Sequence, residues 1–93
     1  MLFVVAYDVS DDASRLRIAQ LLLRVGERVQ ESVFECRTTR ARLDRTLAQC
    51  GKWLGRDPQA QMRVYELCAA CESRAFGVGA VRPSRSAKGS LIV

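Results

Sequence analysis

The chain has 93 residues with a hydrophobic share of 48%, enough for one packed domain and too apolar for a disordered chain. Fifteen Lys and Arg face ten Asp and Glu, a net charge of +5, and thirteen of the fifteen bases are Arg, whose planar fork fits phosphate oxygens. The complete absence of His excludes Ser-His-Asp triads, Cys-His nucleophiles, His-ligated metals and paired-His RNA cleavage, so hydrolysis must use a carboxylate-held metal, or Tyr and Arg.

Met1–Asp8 (MLFVVAYD) reads as the first strand. Leu2 to Tyr7 are all apolar or aromatic, which suits a central strand with both faces covered. The run stops on a carboxylate, Asp8, with Val9-Ser10-Asp11-Asp12 as the following turn. Asp8 either starts that turn or sits at the sheet rim, where it could meet metal or ligand.

Asp11, Asp12 and Ser14 supply N-cap residues for a helix over about Ala13 to Val25. Leu16, Ala19, Leu22 and Leu23 form its expected apolar stripe, and Gly26 its C′ residue. Arg15 in the first turn opposes the helix dipole, and Arg17 points to a different face. Residues 28–37 read as strand, but neither parity is consistently apolar. A bulge near Ser32, or two short strands meeting there, would reset the alternation.

Thr38 and Thr39 cap a second helix reaching Leu54, with Leu43, Leu47, Cys50 and Leu54 as its buried stripe and Trp53 beside it. Asp57-Pro58 is a turn, Gln61 to Cys68 an alternating strand, and Ala69 to Arg74 a short helical turn. Phe76 to Val81 reads as weak strand or loop. Residues 1–81 form the domain, and 82–93 a basic tail ending in the β-prone Leu91-Ile92-Val93, which needs a strand edge of its own sheet or of another subunit. This order predicts an α+β fold: a ferredoxin-like βαββαβ sandwich with an antiparallel sheet and an extra C-terminal strand.

Cys68 and Cys71 have the spacing of a zinc knuckle or redox pair, but Cys36 and Cys50 are too far apart to complete a zinc site. Reduced thiols are expected, in a cytoplasmic protein with no signal peptide and no membrane span.

Asp8 is the metal candidate, for Mg²⁺ or another divalent cation such as Mn²⁺. One carboxylate holds such an ion weakly, and a two-fold dimer would bring two copies of Asp8 together. That site could activate water and neutralise charge on a phosphodiester. Arg15, Arg17 and Arg28 are the candidate phosphate ligands. The few aromatics lack the clustering of an RNA-stacking sheet, and Phe34 reads as core or interface. Gly77-Val78-Gly79 lacks the lysine of a phosphate-binding loop.

The opening Val4-Val5-Ala6-Tyr7-Asp8-Val9-Ser10-Asp11-Asp12, followed by Arg15-Leu16-Arg17, resembles the start of the small CRISPR-associated protein that partners the integrase. Gly26-Glu27-Arg28-Val29-Gln30-Glu31-Ser32-Val33-Phe34-Glu35 resembles that family's second signature, and the likeness continues through Arg63-Val64-Tyr65. The resemblance implies a ferredoxin-like homodimer with a metal between the two copies of Asp8 and phosphodiester cleavage in some members. It assigns functional roles to Tyr7, Asp8, Arg15, Arg17, Arg28 and Phe34, Tyr7 and Asp8 being catalytic, and places Ser32 with Phe34 as structural or interface residues. It further implies a scaffold for spacer integration that binds double-stranded DNA, and single-stranded RNA in some settings. The last strand would add to a sheet edge and present a surface to the integrase.

The residues alone leave four readings: a DNA-binding scaffold of CRISPR adaptation, a metal-dependent endonuclease acting through Asp8, a toxin-type ribonuclease of the same fold, and a non-enzymatic ferredoxin-like interaction module. The arginine-rich charge disfavours the last.

Overall fold

The computed structural model describes residues 1–81 together with the backbone of residues 91–92. The chain runs β1 (Leu2–Asp8), α1 (Asp12–Leu22), β2 (Glu27–Gln30), β3 (Val33–Arg37), α2 (Arg40–Leu54), β4 (Gln61–Leu67), α3 (Ala69–Ser73), β5 (Phe76–Gly77) and β6 (Leu91–Ile92). Both longer helices begin at side-chain caps. The Asp11 carboxylate accepts from the Ser14 amide at 2.8 Å, and the Thr39 hydroxyl accepts from the Arg42 amide at 3.2 Å.

Four strands form one sheet in the order β2-β3-β1-β4, with β1 antiparallel to both neighbours. Val5 lies opposite Phe34 on one side and Val64 on the other. This is the expected ferredoxin-like arrangement, with β1 central. Strand alternation sends Phe3, Val5 and Tyr7 of β1 and Phe34 and Cys36 of β3 towards the helices. There they meet Ile18, Ala19 and Leu22 of α1 and Leu43 and Cys50 of α2 in one core. Phe3, Phe34, Ile18, Leu22 and Leu43 are almost completely buried, and each such side chain contributes about 1.5–3 kcal/mol relative to exposure.

The expectation that β1 is covered on both faces holds for one face only. The other carries Val4 and Ala6 of β1, half-buried, beside Val33 and Glu35 of β3 and the exposed Arg63 and Tyr65 of β4. α3 reaches this face near the start of β1, where Glu72 ion-pairs with Arg37, the cross-strand partner of Leu2.

Three local expectations change. In α1 the buried row is Ser14, Ile18 and Leu22 with Ala19, whereas Leu16 and Leu23 are 59% and 57% exposed. The i, i+4, i+8 row faces the sheet, and Leu16 lies on the far side of the helix from it. Gly26 does not close a left-handed C-cap. α1 ends at Leu22, and among the described residues only Gly79 has positive φ. Gly26 is needed for close approach, since a Cβ there would fall 2.4 Å from the Glu35 carbonyl oxygen and 2.6 Å from Cys36 Sγ. The parity conflict in residues 28–37 resolves into a β2–β3 hairpin with a register shift between Arg28 and Gln30.

The C-terminal strand does pair, in a separate two-stranded parallel sheet with β5: Phe76 opposite Leu91 and Gly77 opposite Ile92. The basic tail between these strands lies outside the described residues. No described helix is long and apolar enough to cross a membrane.

Candidate functional site

The structure divides the candidate residues between the two faces of the sheet: Asp8 and Ser32 lie where β1 ends, and Arg28 pairs with Phe34 level with Val5, midway along the strand. Asp8 is the last residue of β1, opposite Gln61 of β4, and is exposed. By alternation it belongs to the open face with Ala6 and Val4. Tyr7, one residue earlier, belongs to the helix face and is 5% exposed. Its ring stacks on Phe34 with centroids 6.2 Å apart, and its buried hydroxyl has no partner among the described residues. The two residues expected to share a catalytic centre therefore stand on opposite sides of the sheet. In a single chain Tyr7 is a core aromatic, and its hydroxyl is not presented beside the Asp8 carboxylate.

Phe34, fully buried, is likewise core within one chain. Ser32 lies in the β2–β3 turn, and its carbonyl accepts the Tyr7 amide at 3.0 Å, which fastens the turn beside the end of β1. Arg28 projects from edge strand β2 over the Phe34 ring, its guanidinium carbon 5.4 Å from the centroid. Arg28, Phe34 and Tyr7 thus form a continuous stack from solvent into the core.

Arg15 and Arg17 diverge as their two-residue spacing requires. Arg15 folds back to the loop after β1, donating to the Val9 carbonyl at 3.3 Å and ion-pairing with Asp12. Arg17 reaches towards α2, with its guanidinium carbon 5.8 Å from the Trp53 ring and its Nη1 3.4 Å from the Gln20 amide oxygen. Arg56, just beyond the end of α2, lies over the same Trp53 ring at 4.3 Å. Sequence reasoning missed Arg56. The available signal was a base three residues after a Trp at a helix end, a spacing that lets a guanidinium cover an indole. The Asp11 carboxyl is held below its ordinary range by hydrogen bonding from Ser14, with a smaller contribution from the Arg56 and Arg15 charges.

Arg15 therefore sits against the loop that follows Asp8, Arg17 and Arg56 share the Trp53 ring between α1 and α2, and Arg28 stands on edge strand β2 opposite Phe34, midway along the sheet. A cleft of about 530 Å³ lies elsewhere, at the end of the sheet opposite Asp8, with Leu2, Arg24, Glu35 and Arg42 in its walls. Among the described residues no group of three or more Cys, Asp or Glu side chains could enclose a metal. One chain offers the Asp8 carboxylate alone, which fits a hard divalent cation that keeps most of its water.

Comparison with known proteins agrees with this architecture. Residues 1–75 match the family model described as CRISPR associated protein Cas2. The chain is 33% identical to CRISPR-associated endoribonuclease Cas2 1 of Chloroflexus aurantiacus across the full length of both proteins. It is 38% identical to CRISPR-associated endonuclease Cas2 2 of Thermus thermophilus over 84% of this chain and 83% of that one. Among solved structures, Streptococcus pyogenes Cas2 at pH 6.5 superposes with a TM-score of 0.70 and 28% identity, covering 81% of this chain and 95% of that one. A chain of a partial Cas6-RT-Cas1–Cas2 complex superposes with a TM-score of 0.64 and 26% identity, covering 80% and 86%. The sheet order, the two opening sequence signatures and the family match over most of the chain agree, and this chain belongs to the CRISPR-associated Cas2 family.

Proposed function

We propose that the chain acts in CRISPR adaptation as a homodimeric scaffold that binds double-stranded DNA and partners the integrase. The observation that carries this reading is the incomplete open face of the sheet. Val4, Ala6, Val33 and Tyr65 present apolar surface there, and Asp8 stands at its rim. A second copy packed on this face would complete the core of a small domain and bring two Asp8 carboxylates towards one axis. The likeness to a chain of a Cas1–Cas2 complex supports the integrase as partner. Arg15, Arg17, Arg28 and Arg56 supply cationic groups for a phosphate backbone on the outward surfaces.

A second reading adds metal-dependent cleavage of RNA or DNA. It is favoured by the exposed carboxylate of Asp8 and by the nuclease names of the relatives. In the dimer, paired Asp8 carboxylates would hold Mg²⁺ or Mn²⁺ with water filling the remaining positions. The cation would supply charge neutralisation at the phosphate and a more acidic water. Asp8 holds the ion, and the flanking arginines orient the backbone. Tyr7 contributes by packing under the end of β1.

Both readings are tested by one set of measurements on the Asp8→Ala variant: dimerisation, duplex DNA binding, Mg²⁺-dependent cleavage and spacer acquisition with the integrase. A dimer that binds DNA and supports acquisition but no longer cleaves makes the protein a scaffold with separable nuclease activity. Loss of acquisition in a folded, DNA-binding dimer makes the Asp8 site part of the adaptation chemistry. Duplex binding by the unaltered protein that is indifferent to salt would sink the nucleic-acid reading altogether.

A further inference from the structure

Cys68 and Cys71 stand apart from everything assigned so far. Cys68 follows the last residue of β4 and caps α3; Cys71 is one turn further on. Both are exposed, and the Cys71 amide donates to Cys68 Sγ at 3.4 Å. Four residues form the turn, so both thiols leave the same side of one short segment. Glu72, next to Cys71, ion-pairs with Arg37 of β3 and ties this segment to the sheet. The hydrogen bonds from the Cys71 amide and side chain lower the Cys68 thiol below its ordinary value, and the same Cys68 partner raises Cys71. This is the asymmetry of an attacking and a resolving thiol. The other two cysteines differ in every respect. Cys36 and Cys50 are buried in the core, and burial pushes both thiols up to about 11.

We propose that Cys68 and Cys71 form a dithiol modification site that a low-molecular-weight disulfide converts to an intramolecular disulfide. The Cys68 thiolate attacks one sulfur of the reagent. A mixed disulfide forms on Cys68, the reagent's own S–S bond breaks, and the departing thiolate takes up a proton. Cys71 then loses its proton and attacks Cys68 Sγ. The second reagent thiolate leaves and is protonated. The protein is oxidised by two hydrogens, and the reagent is reduced to two thiols. The product closes the turn between β4 and β5, the segment through which the chain passes to its basic tail.

The test is to incubate the reduced full-length chain with 2-hydroxyethyl disulfide, quench with acid and map cysteines by mass spectrometry. The expected product has lost two hydrogens, with the bond between Cys68 and Cys71 and with Cys36 and Cys50 still thiols. Cys71→Ser should accumulate the mixed disulfide on Cys68. Cys68→Ser should react at Cys71 at least about tenfold more slowly. Stable adducts on both thiols without closure, a bond between two chains, preferential reaction of Cys36 or Cys50, or no reaction would each overturn the proposal. The unaltered protein and both variants are read by the same mapping, so the outcome is independent of nucleic-acid binding or dimerisation through Asp8.

Discussion

Tyr7 and Asp8 are consecutive in β1 and stand on opposite faces of the sheet, the first stacked on Phe34 in the core and the second exposed at the rim. The alternation of a strand decides this, and it separates two residues that adjacency in sequence joins. Their substitutions should therefore behave differently. Asp8→Asn should leave melting within about 0.5 kcal/mol of the parent, as an exposed site does, and abolish Mg²⁺-dependent cleavage. Tyr7→Phe should retain cleavage and leave stability unchanged or raise it by about 1 kcal/mol, because it removes a buried hydroxyl without a partner. Calorimetry and a nuclease assay on both variants check the pair.

Tyr65, half exposed on the open face opposite Val4, reports on the second copy. Tyr65→Glu should yield a folded monomer under conditions where the parent is dimeric, because it replaces apolar contact surface with a carboxylate that the interface would have to desolvate. Light scattering after size exclusion measures this. A dimer that survives the substitution places the interface elsewhere.

Arg28 covers the buried Phe34 ring and Arg56 the half-buried Trp53 ring, each guanidinium on the outer side of its aromatic partner. Each, changed to Ala, should weaken duplex DNA binding and flatten the log–log salt dependence by about 0.9 if it contacts one phosphate. Fluorescence anisotropy across a salt series gives the slope. An unchanged slope assigns that arginine to packing alone.

Glu35 on the open face is raised above the ordinary 4.5 by burial first, then by Glu27, with Glu72 adding and Arg37 opposing. The folded state therefore holds this proton to higher pH than the unfolded state does. The stabilising contribution is full below 4.5 and is lost as pH rises through the folded value. Glu35→Gln should flatten the parent's decline in stability across that acidic window. Urea denaturation at a series of pH values measures the difference.

Gly26→Ala should destabilise the fold by about 1–3 kcal/mol, since its Cβ would meet the backbone oxygen of Glu35 and the buried Cys36, and β2 must move to admit it. Denaturant midpoints measure the loss. Gly51→Ala is the control: nothing lies within 4 Å of its added Cβ, and it sits inside α2, where Ala is favoured.

Much of the architecture was legible in the chain. A continuous apolar run ending on Asp8 marked the central strand, and the caps at Asp11 and Thr39 marked both helices, because local hydrogen bonding and the burial period are written in residue type. The paired signatures around Asp8 and Phe34 carry the family likeness in residue type alone. Other features depended on which segments meet. Leu16 and Leu23 are as apolar as Leu22, yet only the side of α1 that met the sheet was buried. Gly26 is a close-approach glycine only because β3 passes beside it. Arg56 joined Arg17 on Trp53 only because α1 and α2 pack together. The sequence by itself determined the chemistry available at the end of β1: a carboxylate, arginines and no histidine. The tertiary structure decided which groups share a face, because strand pairing and helix packing bring distant residues together and alternation sends neighbours apart.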